Sequence, residues 1–325
     1  MNTQRKQAIA RNEISEVCTL RLGGIDQKVM LEGRSHELPV WIMLHGGPGT
    51  PIPFCVGCRG LFPELTDRCI LVCWDQYGSG ANNAVLPAGF SIADLVDMTC
   101  DLIDAIRGRF PENRLYLFGM SWGSVLAAKS AVRKGQSIQG VAVYGQVLHS
   151  LMRTPDTLKA IQTSKAPEKV KKAAAELVAT EKPSFQQSMK LSGWVRKYTA
   201  GYNHPQEPKE KMGGLIKGLL QSPDYRLSDF LAIVKNGYLK NHNIAEELSE
   251  LDLRGELKCV RVPYHILQGD TDVVTSTDLI RNFVQETGNP GLSLTVVPTS
   301  AHMPGKNGMR AITGVMEQMN SGSFE

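Results

Sequence analysis

No run of apolar residues in this chain approaches the roughly 20 needed to cross a bilayer as a helix, which argues against a helical membrane protein. Charge of one sign is also lacking. There are 36 Lys and Arg against 32 Asp and Glu, and the resulting +4 is too small and too scattered to be a footprint for nucleic acid. The N-terminus, Met1-Asn2-Thr3-Gln4-Arg5-Lys6-Gln7, has no apolar core of the kind an export signal needs, so the expected compartment is the cytoplasm. The seven cysteines are then expected as reduced thiols. No internal repeat or low-complexity segment is present. What remains is an ordinary globular composition over 325 residues, 42% hydrophobic and 21% charged. That length suits one large α/β domain with an insertion, or two domains.

One cysteine spacing resembles a zinc ribbon, Cys55-x2-Cys58 followed by Cys69-x3-Cys73. Cys69 and Cys73, however, fall in a continuous apolar run from Cys69 to Trp74 that reads as a buried strand, and cysteine is among the most buried residue types. No metal and no cofactor is expected.

The most informative stretch is Leu117-Phe118-Gly119-Met120-Ser121-Trp122-Gly123-Ser124. An apolar strand signal ends in Gly-x-Ser-x-Gly, and Val125, Leu126, Ala127, Ala128, Ala131 and Val132 continue with a helical apolar pattern. A strand that turns into a helix through a serine between two glycines is a nucleophile elbow. The turn is so tight that only glycine fits at its flanks, and the hydroxyl stands at a helix N-terminus, where backbone N–H groups meet developing negative charge.

Around it, Glu16–Leu22 and Asp26–Glu32 alternate like strands across Gly23-Gly24, an antiparallel hairpin at a sheet edge. Pro39–Leu44 and Cys69–Trp74 are fully apolar strands, Ser91 caps an amphipathic helix, and Gly140–Tyr144 is a further strand. Between His149 and Leu251 only helical patterns occur, over 166–180, 184–198, 209–220 and 227–239, with a Glu168/Lys172 pair at i,i+4. The strand–helix rhythm resumes at Tyr264–Leu267, a helix over 276–286 and a strand over 292–297. The expected fold is α/β, a mostly parallel sheet covered by helices with an inserted helical cap: core 1–148, cap 149–251, core 252–325.

A serine nucleophile needs a base, and a carboxylate to hold that base in the right tautomer. On this kind of sheet the chain order is Ser, acid, His. Of the later histidines, His149, His204 and His242 fall in the helical insertion, and His265 lies inside an apolar strand as a core residue. His302 follows the last strand in Pro298-Thr-Ser-Ala-His-Met-Pro304 and is the expected base. In Gln268-Gly269-Asp270-Thr271-Asp272 two carboxylates compete. The side chain three residues after the glycine points back over the strand end, so Asp272 is the expected acid, and Asp270 braces the loop. His45-Gly46-Gly47-Pro48-Gly49 ends another strand, and its glycines let an N–H, that of Gly47, pair with the N–H of Trp122 as an oxyanion hole.

His45-Gly-Gly-Pro-Gly49, the Trp74-Asp-Gln-x-Gly-x-Gly80 turn, Gly119-Met-Ser-Trp-Gly-Ser124 and the Asp272/His302 ending together resemble the proline iminopeptidase branch of the α/β-hydrolase fold, over about 14–148 and 252–320. The resemblance implies Ser121 as nucleophile, Asp272 and His302 as its relay, Gly47 and Trp122 as oxyanion donors, and release of an N-terminal residue, proline, from short peptides. His45, Gly46, Trp194 and Met303 are expected to line the substrate pocket. A small-molecule or short-peptide substrate is expected as partner, with no nucleic acid and no membrane.

The branch commonly carries Arg and Ser where this chain has Tyr77 and Ala81. Its aminopeptidases hold the substrate's ammonium with cap glutamates, one in a Trp-Glu pair, whereas Trp194 is followed by Val195, Arg196 and Lys197. Residues 151–221 hold 13 Lys and Arg against 6 Asp and Glu. Of Glu168, Glu176, Glu181, Glu207 and Glu210, all but Glu181 are expected to face solvent. Two alternatives therefore stay open: a carboxylesterase or amidase on small uncharged acyl compounds, and a binding protein that kept the fold without turnover.

Overall fold

Two glycines with left-handed backbone open the sheet. Gly23 (φ 57°) and Gly24 (φ 71°) supply the positive φ that a two-residue hairpin turn needs, and they join β1 (Ile14–Leu22) to an antiparallel β2 (Ile25–Gly33). The computed structural model describes residues 3–208, 212–235 and 242–322. The strands that follow are β3 (Val40–Leu44), β4 (Ile70–Trp74), β5 (Leu115–Met120), β6 (Gly140–Tyr144), β7 (Tyr264–Gly269) and β8 (Leu292–Val297). They make one sheet in the order β1-β2-β4-β3-β5-β6-β7-β8. β2 meets β4 antiparallel, and every pairing from β4 to β8 is parallel.

β3 through β7 are buried along their whole length, because helices cover both faces. Alternate side chains divide between two cores. Val40, Ile42 and Leu44 of β3 join a cluster with Leu95, Ile103 and Ile106 of the helix Ile92–Arg109 and Val125 and Leu126 of the helix Trp122–Lys134. Trp41 and Met43 face the opposite cluster, where Ile312, Val315, Met316 and Met319 of the helix Lys306–Ser321 pack. Ser91 caps the first of these helices in a capping box with Asp94.

Between β6 and β7 the described chain is helical: Pro155–Gln162, Glu168–Ala179, Phe185–Tyr198, Met212–Leu220, Leu227–Lys235, His242–Glu250 and the short Arg254–Cys259. Ile161, Val170, Ala174, Leu177, Leu191 and Val195 give this insertion a small core of its own.

Several sequence expectations need correction. The helices Pro155–Gln162, His242–Glu250, Arg254–Cys259 and Lys306–Ser321 went unread. Residues 209–211 and 236–239, the ends of two expected cap helices, lie outside the described residues. Glu168 pairs with Lys171 at i,i+3 (2.9 Å) rather than with Lys172. Among the described residues no helix is long and apolar enough to cross a membrane. Cys55, Cys58, Cys69 and Cys73 are all buried, and the Cys58 and Cys73 sulfurs lie 3.9 Å apart in the core.

Candidate active site

Four strand ends, those of β3, β5, β7 and β8, meet at the C-terminal edge of the sheet. After β5, Ser121 takes φ 51° and ψ −116°, a backbone that a side chain seldom adopts, as the tight strand-to-helix turn demands. The flanking glycines are sterically required. A Cβ on Gly123 would stand 2.0 Å from the carbonyl oxygen of Leu44, and one on Gly119 would stand 2.7 Å from that of Gly123. Ser124 fixes the turn from within, its hydroxyl donating to the Ser121 carbonyl (2.6 Å) and accepting from the Val147 N–H (2.9 Å).

The Ser121 hydroxyl lies 2.9 Å from His302 Nε2, and His302 Nδ1 lies 2.9 Å from Asp272 Oδ2. Asp272 is 1% exposed and His302 6%. The remaining acceptor capacity of Asp272 is filled by the N–H groups of Val274 (2.8 Å) and Thr275 (3.0 Å) and by the Thr275 hydroxyl (2.8 Å). A carboxylate supplied with donors in this way stays an acceptor toward Nδ1–H, which leaves Nε2 free to take the serine proton. Asp270 sits in the same turn and does something else. Its carboxylate accepts from the N–H groups of Thr299 (2.8 Å) and Ser300 (3.1 Å), tying its loop to the one that carries His302.

The loop after β3 closes the opposite side. A Cβ on Gly46 would lie 3.6 Å from that of Ser121, so this loop runs against Ser121. Gly47 has φ 126°, and a Cβ there would stand 2.6 Å from the Gly49 nitrogen. Among the described hydrogen bonds, neither the Gly47 nor the Trp122 N–H donates to a protein acceptor.

The expected pocket residues divide. His45 is corrected to a structural role. It is 3% exposed, one ring nitrogen meets the Gly46 carbonyl (2.9 Å), and the other accepts from the Gln76 N–H (3.0 Å). Burial pulls its imidazole down to about 4, so it stays neutral. Trp194 is half-buried against the insertion's own core. Met303 is half-buried beside His302, and its N–H donates to the Tyr202 carbonyl (2.9 Å).

Other neighbours escaped sequence reasoning. Gly145, with φ 71°, leaves room for the His302 ring, since a Cβ there would stand 3.3 Å from it. The Tyr202 ring lies 5.9 Å from that of His302, and the Arg196 guanidinium sits 4.1 Å over Tyr202. Glu207 was expected to face solvent but is buried. Its carboxylate accepts from the Ser300 hydroxyl (3.0 Å) and the Gly308 N–H (3.0 Å). The cause is the path of residues 201–208, which lie along the His302 loop and receive the N–H groups of His302, Met303 and Lys306. Glu181, in contrast, is exposed, and Glu210 is outside the described residues.

These features define a class. The chain belongs to the alpha/beta hydrolase family, whose family model matches residues 41–308, and it is an enzyme of the serine hydrolase kind. Among its relatives, a probable aminopeptidase of Bacillus subtilis, YbaC, is 22% identical over 90% of this chain and 92% of its own length. A proline iminopeptidase of Xanthomonas citri is 39% identical over 29% of this chain and 28% of its own. A solved proline iminopeptidase of Mycobacterium smegmatis superposes with a TM-score of 0.63 at 18% identity, covering 94% of this chain and 98% of the other. The resemblance read from the motifs is thereby borne out.

Proposed function

We propose that this hydrolase works through an acyl-enzyme on Ser121, releasing the N-terminal residue, proline, from short peptides. The observation that carries the reading is the continuous relay from the Ser121 hydroxyl through His302 to Asp272, each link 2.9 Å. In this reading Ser121 Oγ attacks the scissile carbonyl as His302 Nε2 takes its proton. The Gly47 and Trp122 N–H groups receive the oxyanion. The leaving nitrogen takes the proton back from His302, and water then hydrolyses the acyl-serine by the same steps. Residues 149–251 act as a cap over this edge, with 1–148 and 252–325 as the catalytic core. The four shared motifs and the names of the relatives support the peptide substrate.

One observation favours a second reading, turnover of uncharged short-chain esters or amides. An ammonium entering a partly dry pocket needs a carboxylate, because an unpaired buried charge is costly. The buried Glu207 is already bonded to Ser300 and Gly308, Glu168 pairs with Lys171, and Glu250 pairs with Lys182. Arg196, by way of Tyr202, brings a cation toward His302. The deciding measurement is kcat/KM on a proline arylamide, its N-acetylated form and a p-nitrophenyl short-chain ester. Preference for the free arylamide, with loss on acetylation, supports the peptidase. An ester preference indifferent to acetylation replaces it with the second reading.

A further inference from the structure

Gln76 lies two residues past the end of β4, in a turn beside the site, and it is wholly buried. Burying a primary amide is costly unless its donors and its acceptor are met. Here one donor and the acceptor are met by two specific groups. The amide nitrogen donates to the His45 carbonyl (3.1 Å), and the amide oxygen accepts from the Trp122 indole N–H (2.8 Å). An indole N–H only donates and a carbonyl only accepts, so the orientation of the amide is dictated by its partners. The main chain adds a third tie, the Gln76 N–H to His45 Nε2 (3.0 Å). That bond requires the Nδ1–H tautomer, which in turn places a donor on the Gly46 carbonyl (2.9 Å). Gln76 is itself held, its own carbonyl accepting from the Ser79 N–H (3.0 Å) and the Ser79 hydroxyl (2.8 Å).

The strand order gives these bonds their meaning. β4, β3 and β5 are neighbours, and Gln76, His45 and Trp122 lie just past their respective ends. The Gln76 amide and the Trp122 indole together therefore bridge from the end of β4, over that of β3, to that of β5, a span of about two strand spacings or ~10 Å. His45 lies two residues before Gly47, and Trp122 carries the other oxyanion N–H.

We propose that Gln76 is a positioning residue that fixes the separation of the two oxyanion donors, Gly47 N–H and Trp122 N–H. It touches neither substrate nor the reacting atoms and acts through the loops it joins. The inference rests on the acyl-enzyme reading above. Donors shifted by a fraction of an ångström stabilise the tetrahedral oxyanion less while leaving the ground-state ester alone, so the effect falls on kcat.

The experiment compares wild type, Gln76→Met, Trp122→Phe and the double variant. Methionine keeps the length of the side chain without its hydrogen bonds, and phenylalanine removes the indole N–H together with part of the buried ring while keeping the backbone donor, so Tm reports the packing lost. The readouts are kcat and KM on a p-nitrophenyl short-chain ester, inhibition by a trifluoromethyl ketone whose hemiketal oxyanion occupies the hole, and Tm. Each single variant is expected to lose roughly 10- to 100-fold in kcat, as small misplacements do. KM should stay within about twofold of wild type, the mark of an interaction made only in the transition state. Ketone affinity should fall in proportion to kcat/KM. The double variant should be no slower than the slower single, because both changes cut one link.

Unchanged kcat in either folded single variant overturns the inference. So do losses that multiply in the double variant, or a rise in KM in place of the fall in kcat. If Gln76→Met does not fold, Trp122→Phe alone decides on the same criteria. A wild-type chain that a fluorophosphonate fails to label at Ser121 overturns the acyl-enzyme reading and this inference with it, whereas a labelled wild type with unaffected variants overturns this inference alone.

Discussion

The sheet edge and the helical insertion bury polar groups in different ways. At the sheet edge each site residue lies in a turn just past a strand end, and the carboxylates there are met mainly by backbone N–H groups, of the same turn for Asp272 and of the loop after β8 for Asp270. Asp272 is met by the N–H groups of Val274 and Thr275, Asp270 by those of Thr299 and Ser300, and Ser121 is fixed by its own strained turn. The insertion has a small core of its own around Ile161, Val170, Leu177 and Val195, its later helices join the two cores on the sheet through Leu219 and Ile244, and it reaches the sheet edge through a few long-range side-chain contacts. Glu207 bonds Ser300 and Gly308, Tyr202 meets His302, and Tyr225 bonds Asp75. Turns at strand ends thus hold the Ser121, His302 and Asp272 side chains in place, while side chains of the insertion specify what surrounds them. A change within the Ser121–His302–Asp272 relay should therefore act on rate, and a change at a loop brace or at the insertion's contacts on stability or selectivity.

The largest effects test the first half of that contrast. Ser121→Ala should abolish fluorophosphonate labelling and lower turnover by roughly 10⁴–10⁶. Asp272→Asn should cost about 10⁴ in kcat, because an amide nitrogen facing His302 Nδ1 stabilises the wrong tautomer. Its Tm should stay near that of wild type, since the other amide atom still accepts from Val274 and Thr275. Asp270→Asn, two residues away, should keep its kcat and lose about 1 kcal/mol of stability as a loop brace. Should Asp270→Asn be the inactive variant and Asp272→Asn the active one, the assignment of the acid fails.

The same contrast explains what was legible in the sequence. Gly119, Gly123, Gly46 and Gly47 sit where a Cβ would press on a backbone atom or a neighbouring side chain, so the chemistry of the edge leaves a trace in residue type at fixed spacing. Buried strands leave continuous apolar runs. Glu207 leaves no such trace. It lies in Tyr202-Asn-His-Pro-Gln-Glu-Pro208, a polar stretch that reads as exposed loop, and it is buried because that stretch lies along a loop almost 100 residues later. His45 misled in the other direction, since a histidine at a motif's first position invites a substrate role that its two occupied ring nitrogens rule out. The helix Lys306–Ser321 escaped because Gly308 and Gly314 interrupt its apolar pattern, and packing on Trp41 and Tyr116 outweighs the propensity lost.

Asp75 sharpens the comparison at the point where the two regions touch. Its carboxylate is wholly buried and accepts from Val56 N–H (2.9 Å), Ala81 N–H (2.7 Å) and the Tyr225 hydroxyl of the insertion. Burial outweighs these bonds and pushes it up from 3.8 to about 7. A carboxyl raised in the folded state contributes stability that is fully present below its unfolded value and is lost as pH rises through the folded one. Wild type should therefore lose a few kcal/mol from this group between pH of about 4 and about 7. Asp75→Asn should remove that part of the slope. His45 and His265, both pulled down to about 4 by burial, act oppositely over part of the window, but they are present in both proteins and cancel in the difference. Parallel stability–pH curves for the two proteins would show that Asp75 stays ionised in the fold.

The smallest effect separates two glutamates of the insertion that look alike in sequence. Glu168 has a side chain 87% exposed and pairs with Lys171 at the surface, so Glu168→Gln should move stability by no more than about 0.5 kcal/mol. Glu207→Gln keeps one acceptor for the Gly308 N–H but turns an amide toward the Ser300 hydroxyl, which also bonds Tyr144. The loss of a charge-assisted bond should cost about 1–2 kcal/mol. As a structural anchor, Glu207→Gln should lower turnover of the proline arylamide and of the p-nitrophenyl ester by the same small factor. If instead Tm is unmoved and only the arylamide is lost, Glu207 leaves Ser300 and Gly308 to receive the substrate's ammonium. The contact that ties the insertion to the sheet edge would then be the one that selects the substrate.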